Sequence, residues 1–375
     1  MKRFKSGILV NQGYYKAFVP ENINRKWQID DMDIIRLLSM ADRQLGRLDM
    51  YSEYVNIDLF ISMHIAKEAT QSSRIEGTQT KVEEAFMQKE DILPELRNDW
   101  QEVQNYIAAM NEAVNQLNSL PFSNRLIRQA HKILMQGVRG EQKLPGEFRR
   151  SQNWIGGATL NDAAFVPPPH IQVGDLMSDL EKFANDDSYP MPDLLKIALI
   201  HYQFETIHPF LDGNGRVGRL IITLYLVSKG ILKRPILYLS DFFERHRQLY
   251  YDKLTLVRTH HDINQWLKFF LTGVIESAKQ GIQTFDGIMR IQQAMDARLK
   301  PLGSRGVDAR KVINHLFGQP VTDAVQVAGI IGKSNVSAYK LIADLVKIGI
   351  LKEITGGQRD RIYIFEEYVG LFQFK

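Results

Sequence analysis

A mainly α-helical fold, with a short hairpin and a C-terminal winged helix-turn-helix, is predicted by three observations. Apolar residues recur at three- and four-residue spacing over most of the first 280 positions. A glycine- and proline-rich interval, 140–169, interrupts that spacing and reads as a loop with a short hairpin laid over a helical body. Beyond Gly303, three short amphipathic stretches are followed by two strand-like ones, the order of a winged helix.

The elements follow in order. The first ~25 residues carry Gly7, Gly13, Pro20 and several aromatics and read as an extended, packed arm. Ile34, Leu37, Leu38, Ala41, Leu45 and Leu48 begin a helix near Asp30, and Ile57 to Glu76 forms another, stopped by Gly77. Helical spacing continues over 100–117, 124–138, 173–184, 191–207, 219–229, 241–258 and 263–280. Residues 281–305 read as a more polar connecting helix closed by Pro301 and Gly303. The last unit, 306–375, has helices at 307–317, 325–331 and 335–348, then strands at 350–354 and 362–365 about the turn 355–358.

Composition narrows the classes. The 375 residues are 44% hydrophobic and 24% charged, as in ordinary globular proteins. A net charge of +4 is too weak by itself to argue for nucleic acid. No cysteine is present, which excludes disulfides, thiolate nucleophiles and thiolate-bound zinc. No window approaches the ~18 apolar residues of a membrane span, and the basic N-terminus has too short an apolar stretch for a signal peptide. A cytoplasmic protein is expected.

The most specific segment is His208-Pro-Phe-Leu-Asp-Gly-Asn-Gly-Arg-Val-Gly-Arg219. Its Gly213-Asn-Gly215-Arg-Val-Gly218 satisfies a dinucleotide fingerprint, but that fingerprint needs a preceding strand, and the spacing before it is helical. A plain helix–loop–helix turn explains the glycines but not two arginines, a histidine and an aspartate in so short a loop. An anion cradle explains them all. Gly213, Asn214 and Gly215 would offer backbone N–H groups at a helix start, and Arg216 and Arg219 share one helical face. Asp212 can hold Mg²⁺ bridging two phosphates, and His208 can accept a hydroxyl proton.

The segment resembles the Fic-domain signature H-P-F-x-[DE]-G-N-G-R-x-x-R at every fixed position, and the order of elements over about 100–275 agrees. The resemblance implies a helical Fic core, 96–280, behind an N-terminal region, 1–95, and transfer of AMP from ATP to a Tyr, Thr or Ser hydroxyl with release of pyrophosphate. It implies His208 as general base and Asp212 as the Mg²⁺ ligand. Gly213–Gly215 and Arg216 would hold the α- and β-phosphates and Arg219 the γ-phosphate, with Val217 and Gly218 between them. The related phosphorylating toxins carry Ala and Lys where this chain has Gly213 and Gly215. The stretch 146–156 resembles the family's flap, which pairs with the target's backbone by strand addition. Asn153, Trp154, Ile155 and Gly156 would lie over the nucleotide, with Tyr238, Tyr250 and Tyr251 around adenine and ribose.

Ser72-Ser-Arg-Ile-Glu-Gly77 carries a second signal. A capping box from Ser73 to Glu76 would put Gly77 just inside a new helix. If the helix ends at Glu76 instead, a carboxylate sits at the negative end of a helix dipole and calls for a cation from elsewhere. The stretch resembles the inhibitory motif [ST]-x-x-x-E-[GN] through Ser72, Glu76 and Gly77. That resemblance implies that Glu76 pairs with Arg219 and displaces the γ-phosphate.

In the last unit, Lys333, Asn335, Ser337, Lys340, Arg359 and Arg361 could meet DNA, but nine Lys/Arg against seven Asp/Glu over 307–375 is a thin footprint. Docking to protein or dimerisation is the competing use. For the whole chain, the alternative to an autoinhibited adenylyltransferase is a DNA-binding regulator whose core senses nucleotide.

Overall fold

The computed structural model describes residues 4–54, 57–138, 140–188, 190–356 and 360–373. The N-terminal arm is a two-stranded antiparallel hairpin, β1 (Gly7–Asn11) and β2 (Lys16–Pro20), in the register Leu9 opposite Phe18. Gly13, at φ 90°, makes its turn, and its N–H is taken by the Asn11 side chain at 3.1 Å.

Among the described residues ten α-helices follow: α1 (Met32–Tyr54), α2 (Ile61–Ile75), α3 (Arg97–Gln116), α4 (Asn124–Leu134), α5 (Val173–Asn185), α6 (Asp193–Ile207), α7 (Asn214–Ser228), α8 (Ser240–Arg245), α9 (Arg247–His260) and α10 (Ile263–Leu299). Helix α6 is apolar nearly all round and buried along its length from Leu194 to Ile207, so it forms the axis of the body. Against it pack α5, α7 and α10, while α2 and α3 cover α7 from the other side. Trp266 closes this centre, fully buried, its indole N–H on the Ala198 carbonyl at 2.8 Å. No helix among the described residues is long and apolar enough to cross a membrane.

Three sequence expectations differ from the fold. The connecting helix expected over 281–305 is helical to Leu299 but is continuous with α10, because no proline intervenes and Gly281 lets Leu48 of α1 approach to within 2.9 Å of where a Cβ would stand. Helix α7 starts at Asn214 rather than Arg219, because Gly213 in the left-handed region (φ 73°) ends the loop early. The flap hairpin is one β-bridge, Ile155 with Phe165. Its outer side is tied to β2 by Phe18 N–H on the Val166 carbonyl at 2.9 Å.

The C-terminal segment comprises α11 (Gly306–Leu316), β3 (Val321–Thr322), α12 (Ala324–Ile331), α13 (Asn335–Lys347), β4 (Lys352–Glu353), β5 (Tyr363–Ile364) and α14 (Glu366–Gly370). The strands form a small antiparallel sheet in the order β3-β5-β4. Asp323 caps α12 and Ser334 caps α13 through their side chains.

Candidate active site

Helix α6 ends at His208, whose backbone is left-handed (φ 50°, ψ 61°). A non-glycine residue in this region costs roughly 1–3 kcal/mol and persists only where neighbours fix it. Two side chains do so. Arg149 donates to the His208 carbonyl at 3.0 Å and to the carbonyls of Ser151 (3.2 Å), Pro168 (2.5 Å) and Ile207 (3.4 Å). The Asn153 amide donates to the carbonyls of His208 (3.2 Å) and Phe210 (2.8 Å). Burial, reinforced by Arg258 and Arg149, pushes the His208 imidazole down to about 3. The ring is therefore neutral at pH 7, and its Nδ1 is buried without a hydrogen-bond partner.

From His208 the loop turns over Phe210, fully buried and stacked on His131 with ring centres 3.7 Å apart. His131 receives the Gly146 N–H at Nδ1 (2.8 Å) and, through Nε2, bonds the Asp212 carbonyl (3.0 Å). Burial holds it neutral, down to about 4. Asn214 closes the loop on both backbone groups of Phe210, each at 2.8 Å. The side chain of Asn214 thus shapes the loop, leaving its N–H, with those of Gly215 and Arg216, in the first turn of α7, where amides lack intrahelical partners. The Gly213 N–H is taken by Asp212 Oδ1 at 2.6 Å.

The two motif arginines are both occupied. Arg216 donates to the buried Glu102 carboxylate of α3 at 2.9 Å, and its other Nη lies 3.9 Å from Asp212. Arg219, with 1% of its side chain exposed, donates to Ser72 Oγ (2.9 Å), the Ser72 carbonyl (2.8 Å) and Glu76 Oε1 (2.8 Å). Burial pushes the Glu76 carboxyl up, but Arg219, aided by Arg216 and His208, outweighs it and holds the group below its ordinary value. Glu76 caps the C-terminal end of α2, and Gly77 follows at φ 105°. No capping box forms: the Glu76 N–H goes to the Ser73 carbonyl at 3.0 Å. Gly215 is indispensable to this approach, since a Cβ there would stand 2.2 Å from Glu76 Oε1.

The remaining sequence-selected residues are placed as follows. Tyr250 and Tyr251 lie beside Arg219 and Glu76; Tyr250 is buried with its hydroxyl on His201 Nε2 at 2.8 Å, and Tyr251 is 38% exposed. Trp154 is 40% exposed at the flap, and Gly156 turns it at φ 68°. Tyr238 is buried, bonded to the Pro235 carbonyl and facing Glu68. Val217 is buried, and Gly218 gives its carbonyl to His201 Nδ1 at 2.7 Å. Glu102 and Arg258 also meet the site, from α3 and α9, while Glu205 lies one turn before His208 on α6 and Arg149 belongs to the flap stretch 146–156. Glu205, beneath Gly218, is pushed up to about 7 by burial against the pull of Arg219.

Among the described residues no cluster of three acidic or imidazole groups could cage a metal. Asp212, with 43% of its side chain exposed beside the bare amides of α7, fits a hard cation that takes its other ligands from phosphate and water.

The start of α7, two arginines and a neutral imidazole are thus gathered around one loop. Residues 121–226 match the Fic/DOC family and residues 35–115 the Fic/DOC family N-terminal region, so the chain carries domains of this family. It is 35% identical over 125 residues to the protein adenylyltransferase Fic of Culex quinquefasciatus, covering 33% of this chain and 22% of that one. It is 27% identical over 212 residues to a probable protein adenylyltransferase of Aquifex aeolicus, covering 52% and 62%. The chain thus spans about a fifth of the length of the insect relatives it matches. A Fic family protein from Desulfovibrio desulfuricans shares the fold at a TM-score of 0.56, with 19% identity over 90% of this chain and 97% of that one.

Proposed function

We propose that the chain is a protein adenylyltransferase held in check by Glu76. The observation that carries this reading is the occupation of Arg219, deep in the phosphate loop, by Ser72 and Glu76. In the reaction, the acceptor hydroxyl oxygen attacks the α-phosphorus of ATP while His208 takes its proton, and the bond to the β-phosphate's bridging oxygen breaks to release pyrophosphate. The imidazole suits this role because it enters the step uncharged. The α7 amides and Arg216 hold the α- and β-phosphates. Asp212 would hold Mg²⁺, which would supply charge neutralisation to the phosphates. Arg219 receives the γ-phosphate once Glu76 withdraws. The acceptor strand lies along the flap, in a Tyr, Thr or Ser side chain of a target protein or of the chain itself.

The C-terminal segment is read as a winged helix that docks protein, as a partner or as a second copy. Lys333 is engaged by Asp308 and Arg361 by Glu353, whereas Val336 and Tyr339 on α13 are exposed, at 64% and 53%. Arg359 lies outside the described residues. The DNA-binding alternative requires steeply salt-dependent binding to duplex DNA.

The test is self-modification with α-labelled ATP and Mg²⁺ in the Glu76→Gly chain and in the same chain carrying His208→Ala. Label incorporation in the first and none in the second, with ATP binding retained, is expected. Equal incorporation in both removes His208 as the base, and none in either removes the reading.

A further inference from the structure

The helix that ends at Glu76 begins against the C-terminal segment. Phe60, just before α2, is fully buried and meets Phe317 edge-to-face at 5.2 Å and Tyr368 at 6.4 Å. Ser62 donates to the Gly318 carbonyl at 2.7 Å. His64 sits between Phe285 of α10 (4.7 Å) and Phe372 (4.9 Å), after α14. Beside this seat, Gln319 donates to the Phe86 carbonyl at 2.8 Å, and Thr284 of α10 to the Leu371 carbonyl at 3.3 Å. Within the segment Tyr368 donates to the Phe317 carbonyl at 2.8 Å, so the aromatic cluster is one packed unit.

From Ser62 to Glu76 a helix at 1.5 Å per residue spans about 21 Å, without proline or glycine to bend it. The middle of α2 is buried and packs on α3 and α8, where Glu68 accepts from the backbone N–H and hydroxyl of Ser240 and from the Tyr106 hydroxyl at 3.2 Å. Beyond that shared packing, the first turn of α2 meets residues 317–372 and its last residues meet Arg219.

We propose that the C-terminal segment is the seat that aligns α2, so that loosening this seat withdraws Glu76 from Arg219. The helix acts as a stiff rod: its apolar end is fixed by an aromatic cluster, and its polar end must place one carboxylate within hydrogen-bond reach of a buried guanidinium. A small displacement at the first end suffices to break a contact with that geometric demand at the second. The inference rests on the adenylyltransferase reading for its consequence in turnover, but the linkage itself is a property of the fold.

Two variants of the full chain test it: Phe372→Ala, which removes the ring against His64, and Ser62→Ala, which removes one hydrogen bond and leaves the aromatic core intact. The first readout is amide hydrogen exchange. Faster exchange at 363–373, accompanied by faster exchange at 72–78, is expected; loosening at 363–373 with unchanged exchange at 72–78 overturns the linkage. The second readout is self-modification with labelled ATP. A gain of roughly fivefold or more is expected in the otherwise native chain and no further gain in a Glu76→Gly background. Equal gains in both backgrounds show that the seat acts by another route and overturn the proposal. If Glu76→Gly transfers no AMP, the functional reading fails, and the exchange result still decides the linkage.

Discussion

Arg219 donates to Glu76 at 2.8 Å across 143 residues of sequence. The pair joins the last turn of α2 to the second turn of α7, and its two members have different surroundings. Arg219 is enclosed, with 1% of its side chain exposed, while Glu76 keeps 35% exposed. The carboxylate thus stands on the solvent side of the pair and the guanidinium on the enclosed side.

Arg149 ties the flap to the end of α6. Its guanidinium serves the carbonyls of His208, Ser151, Pro168 and Ile207 from a nearly buried position. Removing it leaves several acceptors without partners and releases the left-handed His208. Arg149→Ala is expected to cost about 3 kcal/mol or more, read as a fall in the urea midpoint. A loss below about 1 kcal/mol would mean that water replaces the guanidinium without penalty.

Two glycines in helices should respond in opposite directions. At Gly218 a Cβ would stand 2.1 Å from Glu205 Oε1 and 3.2 Å from the Phe204 ring, inside a packed helix pair. Gly218→Ala is expected to destabilise by about 1–3 kcal/mol. At Gly174, in α5, no atom lies within 4 Å of the added methyl, so Gly174→Ala should stabilise by roughly 0.5–1 kcal/mol. Paired thermal melts check both signs.

Much of the site was legible from sequence because the residues that build it are consecutive. The anion cradle depends on the spacing of Gly213, Asn214, Gly215, Arg216 and Arg219, and helical geometry gathers these wherever the helix lies. Glu76 was legible through an unfavourable dipole position, which called for a distant cation, and the resemblance of its stretch to the inhibitory motif named Arg219 as that cation. What sequence could not supply is the set of partners fixed by tertiary convergence. Glu102 is one polar residue in an ordinary amphipathic helix until it meets Arg216, and Arg149 is one of two adjacent arginines until the flap folds over α6. The continuous α10 was also hidden, because the polar character of 281–299 reflects a helix covered only in part, not a break.

Acid should unfold the protein through its buried imidazoles. Burial holds His64 and His201 down to about 3, His131 to about 4 and His208 to about 3, against 6.5 for a free imidazole. Below pH 6.5 the unfolded chain binds more protons at these groups, so stability that is full above 6.5 is lost as pH falls. Each contributes about 2 kcal/mol of that loss by pH 5. Burial pushes the carboxyls of Glu68 and Glu205 up to about 7, and these act oppositely, removing stability as pH rises from 4.5. Four imidazoles outweigh two carboxyls, so the urea midpoint should fall from pH 7 to pH 5. His64→Phe, which keeps the ring contacts with Phe285 and Phe372, should flatten that slope; an unchanged slope would show that His64 is not held neutral.

The withdrawal of Glu76 is the event on which the functional account depends. The rate of self-modification with α-labelled ATP and Mg²⁺, compared between the native chain and Glu76→Gly at equal concentration, measures it most directly. The account predicts that the variant is faster by tenfold or more, about 1.4 kcal/mol or greater in the barrier. A variant no faster than the native chain would contradict it.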